Sequence, residues 1–391
     1  MTKPTLSASH FAAALAALLV SYGSSAVIIY QAALSFNSTP VQINSWFTSL
    51  SIACGLLTLI FSVKYKAPVM IVWSTPGAAL MVGMQGIPLS DAVGAFIFTG
   101  LLMFFFALTG LFKHLSAMIP KTLACAMLAG ILINFGSKVF VSMEQQTLLV
   151  SLMLVTYLLS KIRFARYSLL FMLVVGFACS YFLDLLHLEK LHWEAPQLVW
   201  LDPAFNMQAI ISVGIPLFIT SLVTQNVPAM TILRMHHYDK VPEIPPISGA
   251  ALTTAILAPF GTYTVNLAAI SAAITMGPDV DPDPKKRYIA NIWLAGLYFI
   301  MAILGGMLVS IFEALPKEFL MALAGIAIFG TLLSNMIQAW DDEPTREASL
   351  ITLLASASGM SLLGIGSAFW GLVFGTMVYH LNQYIQRKRA A

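Results

Sequence analysis

Long apolar stretches separated by short polar connections run through the whole chain, and that rhythm sets its class. Fourteen can be read, at about 11–34, 43–63, 67–85, 92–112, 118–140, 147–160, 167–187, 207–233, 247–260, 261–277, 288–312, 314–339, 347–365 and 366–386. Most approach the roughly 20 apolar residues that a helix needs to cross a bilayer core. The third, Ala67–Gln85, breaks at its middle in Trp73-Ser-Thr-Pro-Gly77. Val69–Trp73 is rich in β-branched and bulky residues and suits an extended segment. Ser74 or Thr75 then serves as N-cap and Pro76 as first helical residue, so that a half-length helix to Gly86 starts in mid-membrane. A proline-kinked full-length helix is the alternative for this stretch taken alone.

Charge fixes a direction for the spans. With the N-terminus inside and the spans alternating, seventeen of the 20 lysines and arginines fall on the inner side. Only Lys138, Lys190 and Lys317 fall outside, a positive-inside split that supports fourteen spans with both termini cytoplasmic. A shift of 196 residues lays Ala92–Lys121 on Tyr288–Lys317 without gaps, with Gly100 on Gly296, Gly110 on Gly306 and Pro120-Lys121 on Pro316-Lys317. Segments seven spans apart run in opposite directions, so the expected fold is an all-α polytopic membrane protein built as a 7+7 inverted repeat. Such repeats with broken helices mark secondary transporters. The tenth stretch then mirrors the third. Ala258–Asn266 reads as an extended lead through Tyr263, Thr264 and Val265, and Leu267–Gly277 as a second half-helix capped by Asn266.

Two half-helix N-termini meeting at the midplane make an anion site that needs no buried cation. The expected carboxylate donors are the N–H groups of Thr75–Ala78 (Thr75, Gly77 and Ala78, around Pro76) and of Asn266–Ala268, including Leu267. Ser24, Ser25, Gln225 and Asn226 would lend hydrogen bonds from the first and eighth spans. Tyr22, Trp73, Phe260 and Tyr263 offer aromatic walls, although aromatic residues in such helices more often serve as core. The glycines of the fourth and eleventh spans (Gly94, Gly100, Gly110; Gly296, Gly305, Gly306) read as close-packing faces. Acidic residues and histidines lie in connections or at span ends, so no mid-membrane proton acceptor is visible.

Composition agrees: 59% hydrophobic residues, 9% charged and a mean hydropathy of +0.85 leave no room for a soluble domain. The first apolar stretch lacks a strong basic region before it and leads into further spans, unlike a removable signal peptide. Cys54, Cys125 and Cys179 all lie within apolar stretches and read as small core residues rather than disulfides or metal ligands. No cofactor and no nucleic-acid partner is expected. A membrane-embedded enzyme would need an intramembrane His, Asp or Glu cluster or a nucleophile motif; none is present in the sequence, which leaves a carrier or an anion channel.

Three segments, APVMIVWSTPGAAL (67–80), TQNVPAM (224–230) and APFGTYTVNLAAISAAI (258–274), resemble the benzoate:proton symporter family of bacterial inner membranes, and the likeness extends over essentially the whole chain. More distantly the chain is similar to the uracil permease and sulfate permease group. The resemblance implies a core domain (11–112 and 207–312) that carries the substrate against a gate domain (113–206 and 313–391), often pairing into dimers. It also implies short antiparallel strands before the two half-helices. The nucleobase branch has glutamates at the positions of Gln225 and near Val265, and Asn266 matches it. Neutral residues here argue against a nucleobase and for an anion. The expected function is transport of a small aromatic carboxylate, benzoate by resemblance, in symport with a proton and by an elevator-type movement. A channel, or a carrier for another small organic anion or a nucleobase, is the alternative.

Overall fold

The computed structural model describes residues 8–82, 84, 86–110, 120–164, 167–268 and 271–390. Helix α1 (Ala8–Ser35) is 28 residues long, about 42 Å at 1.5 Å per residue, and so must tilt to fit a bilayer core. Helix α2 (Pro40–Tyr65) starts where the sequence tells it to. Thr39 Oγ1 accepts from the Gln42 N–H, the Thr39 N–H donates to Gln42 Oε1, and Pro40 occupies the first helical turn. Lys66, at φ 49°, ends it.

The chain then runs through β1 (Ile71–Trp73) into the eight-residue helix α3 (Thr75–Val82). Strand β1 pairs antiparallel with β2 (Val265–Leu267), in the register Ile71 with Leu267, Val72 with Asn266 and Trp73 with Val265. The Ser74 N–H to Thr264 O (3.2 Å) and the Ala268 N–H to Met70 O (2.9 Å) extend the ladder at both ends. Extended backbone at membrane depth is tolerated only when its polar groups find partners within the protein. Side chains of the flanking helices supply the rest. Thr58 Oγ1 accepts from the Ile71 N–H at 2.9 Å, Ser62 Oγ donates to Val69 O at 2.9 Å, and Thr254 Oγ1 accepts from the Val265 N–H at 3.1 Å. The lead into β2 turns at Gly261, whose φ of +96° and whose contact with the Trp46 ring leave no space for a side chain: an added Cβ would lie 2.0 Å from Trp46 Cδ1.

The remaining helices are α4 (Leu89–Thr109), α5 (Lys121–Gln145), α6 (Thr147–Phe164), α7 (Ser168–Phe182), α8 (Met207–Met235) and α9 (Ile244–Leu257). After β2 come α10 (Tyr288–Ile303), α11 (Gly305–Ala314), α12 (Lys317–Ala327), α13 (Phe329–Ala339), α14 (Arg346–Ala357) and α15 (Ser367–Ala390). Among the described residues, seven helices are long and apolar enough to cross a membrane, and α10 with α11 forms an eighth, bent by 61°. The eleventh apolar stretch, expected as one helix, is this bent pair, and its break falls at Leu304.

Packing sorts the helices. In one group α2 lies along α10 and α4 along α9. In the other, α5 packs on α13 and α14, α14 on α15, and α6 on α7. Gly100 allows the α4–α9 approach, since a Cβ there would come within 2.7 Å of the Ala255 nitrogen. Gly94, Gly305 and Gly306 are similarly pressed. Gly296 is a correction to the close-packing reading, because a Cβ there would meet nothing within 4 Å, and Gly110 instead ends α4 in a left-handed conformation.

Helix α8 is not regular. It contains two π-helical turns, Ile210–Gly214 and Leu222–Asn226. Each ends two residues before a proline, Pro216 and Pro228. A proline has no N–H to donate and crowds the carbonyl four residues back, and widening the turn relieves that crowding.

Candidate functional site

The expected second half-helix is where sequence and structure part most. Asn266 and Leu267 do not cap or begin a helix; they lie in β2. The next helical turn among the described residues is the short 3₁₀ segment Ser271–Thr275. Asn266 fails as a cap because its side chain is already committed. Asn226 Nδ2 donates to Asn266 Oδ1 at 3.1 Å, and Asn226 Oδ1 accepts from the Leu267 N–H at 3.1 Å. The Ala268 N–H is taken by Met70 O. The anion donors expected at Leu267 and Ala268 are therefore spent on holding the strand.

The first half-helix begins as expected. Ser74 Oγ caps α3 by accepting from the Gly77 N–H at 3.0 Å, and Ser74 O accepts from the Ala78 N–H at 2.8 Å. Pro76 has no N–H, so Thr75 supplies the one first-turn donor outside that cap. Gly77 lies against α8, where a Cβ would fall 2.5 Å from Leu217 Cδ1.

Beside this helix end is a cavity of about 440 Å³. Its walls are helix faces. Ser21 and Ser25 come from α1, Trp73, Thr75 and Pro76 from the break, and Thr224, Gln225, Pro228 and Ile232 from α8. Lys121 and Cys125 come from α5, and Thr331, Ser334, Asn335 and Gln338 from α13. Of the residues expected at the site, Ser25, Trp73, Thr75, Pro76 and Gln225 line the cavity, and Phe260 does not. Tyr22, Ser74, Gly77, Ala78, Asn226, Tyr263, Thr264, Asn266 and Leu267 stand behind its wall. The side chain of Ser24 lies outside the described residues.

The residues behind the wall hold its shape. Trp73 donates from Nε1 to Ser25 Oγ at 2.7 Å and meets the Tyr22 ring edge-on, with centroids 4.7 Å apart. The Tyr22 hydroxyl lies 2.5 Å from Ser51 Oγ, and Tyr263 donates to Ser74 O at 3.0 Å. The π turn Leu222–Asn226 divides neighbouring side chains between two tasks. Asn226 is 1% exposed and bonded to β2, whereas half-buried Gln225 turns into the cavity.

Sequence reasoning missed the α13 wall. Its signal was present: Thr331, Ser334, Asn335 and Gln338 follow the i, i+3, i+4, i+7 spacing of one helix face. In the sequence Lys121 shows itself as an inner-end charge and as part of the Pro-Lys repeat match, and neither points to a ligand. Chemically the cavity offers the positive end of α3, one lysine and several neutral hydrogen-bonding groups. The same wall also carries the apolar and aromatic groups Val20, Val72, Trp73, Val223, Pro228 and Ile232.

Comparisons with known proteins agree along the whole chain. Residues 4–381 match the family model described as benzoate membrane transport protein. The inner membrane protein YdcO of Escherichia coli is 37% identical over 376 residues, covering 95% of this chain and 96% of that protein. The benzoate membrane transport protein of Acinetobacter baylyi is 35% identical over 366 residues, 93% of each. Among solved structures, the transmembrane domain of the cyanobacterial bicarbonate transporter BicA superposes with a TM-score of 0.56 at 11% identity, covering 94% of this chain and 97% of that one. SLC26A9 superposes with a TM-score of 0.55 at 14% identity over 93% of this chain and 66% of its own length. At such identities the likeness speaks for the fold alone. A polytopic helical bundle with a polar cavity beside a broken helix, matched along its length by these relatives, belongs to the benzoate membrane transport protein family and is a membrane transport protein rather than an enzyme.

Proposed function

We propose that the protein carries an aromatic monocarboxylate, benzoate or a close relative of it, across the bacterial inner membrane in symport with a proton. One observation carries the substrate class: the cavity wall divides its lining between apolar and aromatic groups and polar groups, the latter including one cation and one helix N-terminus. A flat apolar ring with a single carboxylate matches that division, because each half of the ligand meets surface of its own kind. The names of the two bacterial relatives favour benzoate and the inner membrane. Symport rests on the resemblance. Among the described residues the cavity wall has no carboxylate or imidazole, so the proton site proposed for symport lies away from this wall, with Glu144 and Glu347 at the bundle edge as its candidates.

The architecture proposed for this activity has fourteen spans in two inverted halves, with both termini cytoplasmic. The pairing of β1 with β2 favours it, since the register is symmetric about Val72 and Asn266, which are 194 positions apart. That is close to the 196-residue shift of the sequence repeat. Residues 11–112 and 207–312 would form a core that slides against a gate of 113–206 and 313–391, in keeping with the two packing groups. The gate is the proposed dimer surface.

Uptake into proteoliposomes under an imposed pH gradient tests the function, with benzoate, salicylate, uracil and sulfate as competitors. Saturable, gradient-driven uptake inhibited by benzoate and salicylate is expected. Uracil or sulfate outcompeting benzoate overturns the substrate class. Indifference to the gradient overturns symport, and flux that does not saturate points to a channel.

A further inference from the structure

We infer that Lys121 is a specificity residue of this cavity, holding the carboxylate end of the bound acid from the α5 side. The inference rests on the proposed function and deepens it. Among the described residues, Lys121 is the one charged side chain on the cavity wall. It is exposed, and it is absent from the ion pairs of the described residues. Its position is also a poor one for helix stability. Lys121 is the first residue of α5, after Pro120, where the macrodipole already presents partial positive charge and a lysine is mildly unfavourable. Anionic substrate in the same cavity reverses that sign.

The geometry then adds a group that the committed Leu267 and Ala268 N–H donors cannot supply. Thr75, at the positive end of α3, and Lys121, at the positive end of α5, border one cavity with Trp73 and Gln225. A carboxylate lying between the two helix ends meets attraction from both, while the ring rests toward Trp73. The lysine stem of four methylenes lets the ammonium follow the carboxylate as the two helix groups move. Lys121 thereby favours anions over neutral compounds of the same shape.

The test is equilibrium binding to the purified, detergent-solubilised protein, where both faces of the protein are accessible. Benzoate and its uncharged isostere benzamide are titrated against wild type, Lys121→Gln, Lys121→Arg and Lys317→Gln, the last removing an exposed lysine from the start of α12, away from the cavity. Lys121→Gln is expected to weaken benzoate about five- to tenfold, in line with a contact charge pair that stays well screened by water, as the exposure of Lys121 implies. Lys121→Arg should stay within about twofold of wild type, and Lys317→Gln should match wild type. Benzamide should bind both Lys121 variants as it binds wild type. Raising ionic strength from about 0.01 to 0.15 M shortens the screening length from about 30 to 8 Å. It should weaken benzoate for wild type and leave Lys121→Gln unchanged. Equal benzoate affinity in wild type and Lys121→Gln, or a parallel loss of benzamide binding, overturns the role of Lys121 alone. A wild type that binds none of the aromatic carboxylates overturns the proposed function with it.

Discussion

Two adjacent residues, Gln225 and Asn226, should fail in opposite ways when shortened to alanine. Asn226 accepts from the Leu267 N–H and donates to Asn266 Oδ1, each at 3.1 Å, in a site where all three residues are at most 2% exposed. Asn226→Ala leaves one backbone donor and one side-chain acceptor buried without these partners. Each orphaned group costs about 1–3 kcal/mol, so the loss should total about 2–6 kcal/mol, offset in part if a water enters the space. Gln225 has no comparable duty. Its side chain faces the cavity, and its truncation removes a neutral hydrogen bond to ligand, about 0.5–1.5 kcal/mol or up to about tenfold in affinity.

Thermal unfolding of the detergent-solubilised variants, followed by benzoate titration, separates the two. Asn226→Ala should show a midpoint several degrees below wild type, with whatever protein stays folded binding less benzoate because β2 has loosened. Gln225→Ala should unfold with wild type and bind benzoate more weakly. A wild-type midpoint for Asn226→Ala together with weakened binding would refute the division, and would return Asn226 to the ligand-contacting role expected from sequence.

Further outcomes follow from single features. Gly261→Ala adds a Cβ 2.0 Å from Trp46 Cδ1 at a φ of +96°; positive φ alone costs about 1–2 kcal/mol, and the yield of monodisperse protein should collapse. Pro228→Ala restores an N–H to α8 and lets the π turn revert toward α-helix, turning Gln225 away; benzoate should bind several-fold more weakly with the thermal midpoint unchanged or higher. Trp73→Phe removes the bond to Ser25 Oγ; a loss of about 1 kcal/mol of stability is expected, and the benzoate-dependent change in tryptophan fluorescence should shrink. His192, in the connection between α7 and α8, is held above its ordinary value of 6.5 by hydrogen bonds to Glu194 and then to the Lys190 carbonyl. Its protonated form therefore adds stability that is complete below pH 6.5 and fades as pH rises through the elevated value. In a histidine NMR titration, Glu194→Gln should bring the midpoint down.

How far the sequence could be read depended on whether a signal was local. The break at Trp73–Gly77 was legible because serine, threonine, proline and glycine each act on backbone within a turn of themselves, and Ser74 does cap Gly77. Its mirror at Val265–Leu267 was read as a strand leading into a helix capped by Asn266. The lead is extended, but the cap is not there, because Asn226, 40 residues away, takes the Asn266 side chain and the Leu267 N–H. No local preference foretells a partner that distant. The π turns were half legible: Pro216 and Pro228 announce a disturbance of α8, but only the three-dimensional wall decides that Gln225 meets the cavity and Asn226 the strand.

Two opposed helix N-termini would bind an anion by themselves, and that symmetric picture made a cation unnecessary. With the Leu267 and Ala268 N–H groups bonded to Asn226 and Met70, β2 itself does not bring the donors expected of it, and the Gly77 and Ala78 N–H groups belong to Ser74. Of the expected backbone donors Thr75 at the end of α3 remains, and Ser271, past β2, also borders the cavity; both belong to the proposed core group. An anion drawn only from that side would travel with the core group and feel nothing of the other helices. Under the proposed division, polar groups on α5 and α13 would give a bound acid contacts on both groups at once. A substrate touching both groups stabilises the arrangement in which they close around it, and a carrier needs that coupling for its movement to depend on cargo.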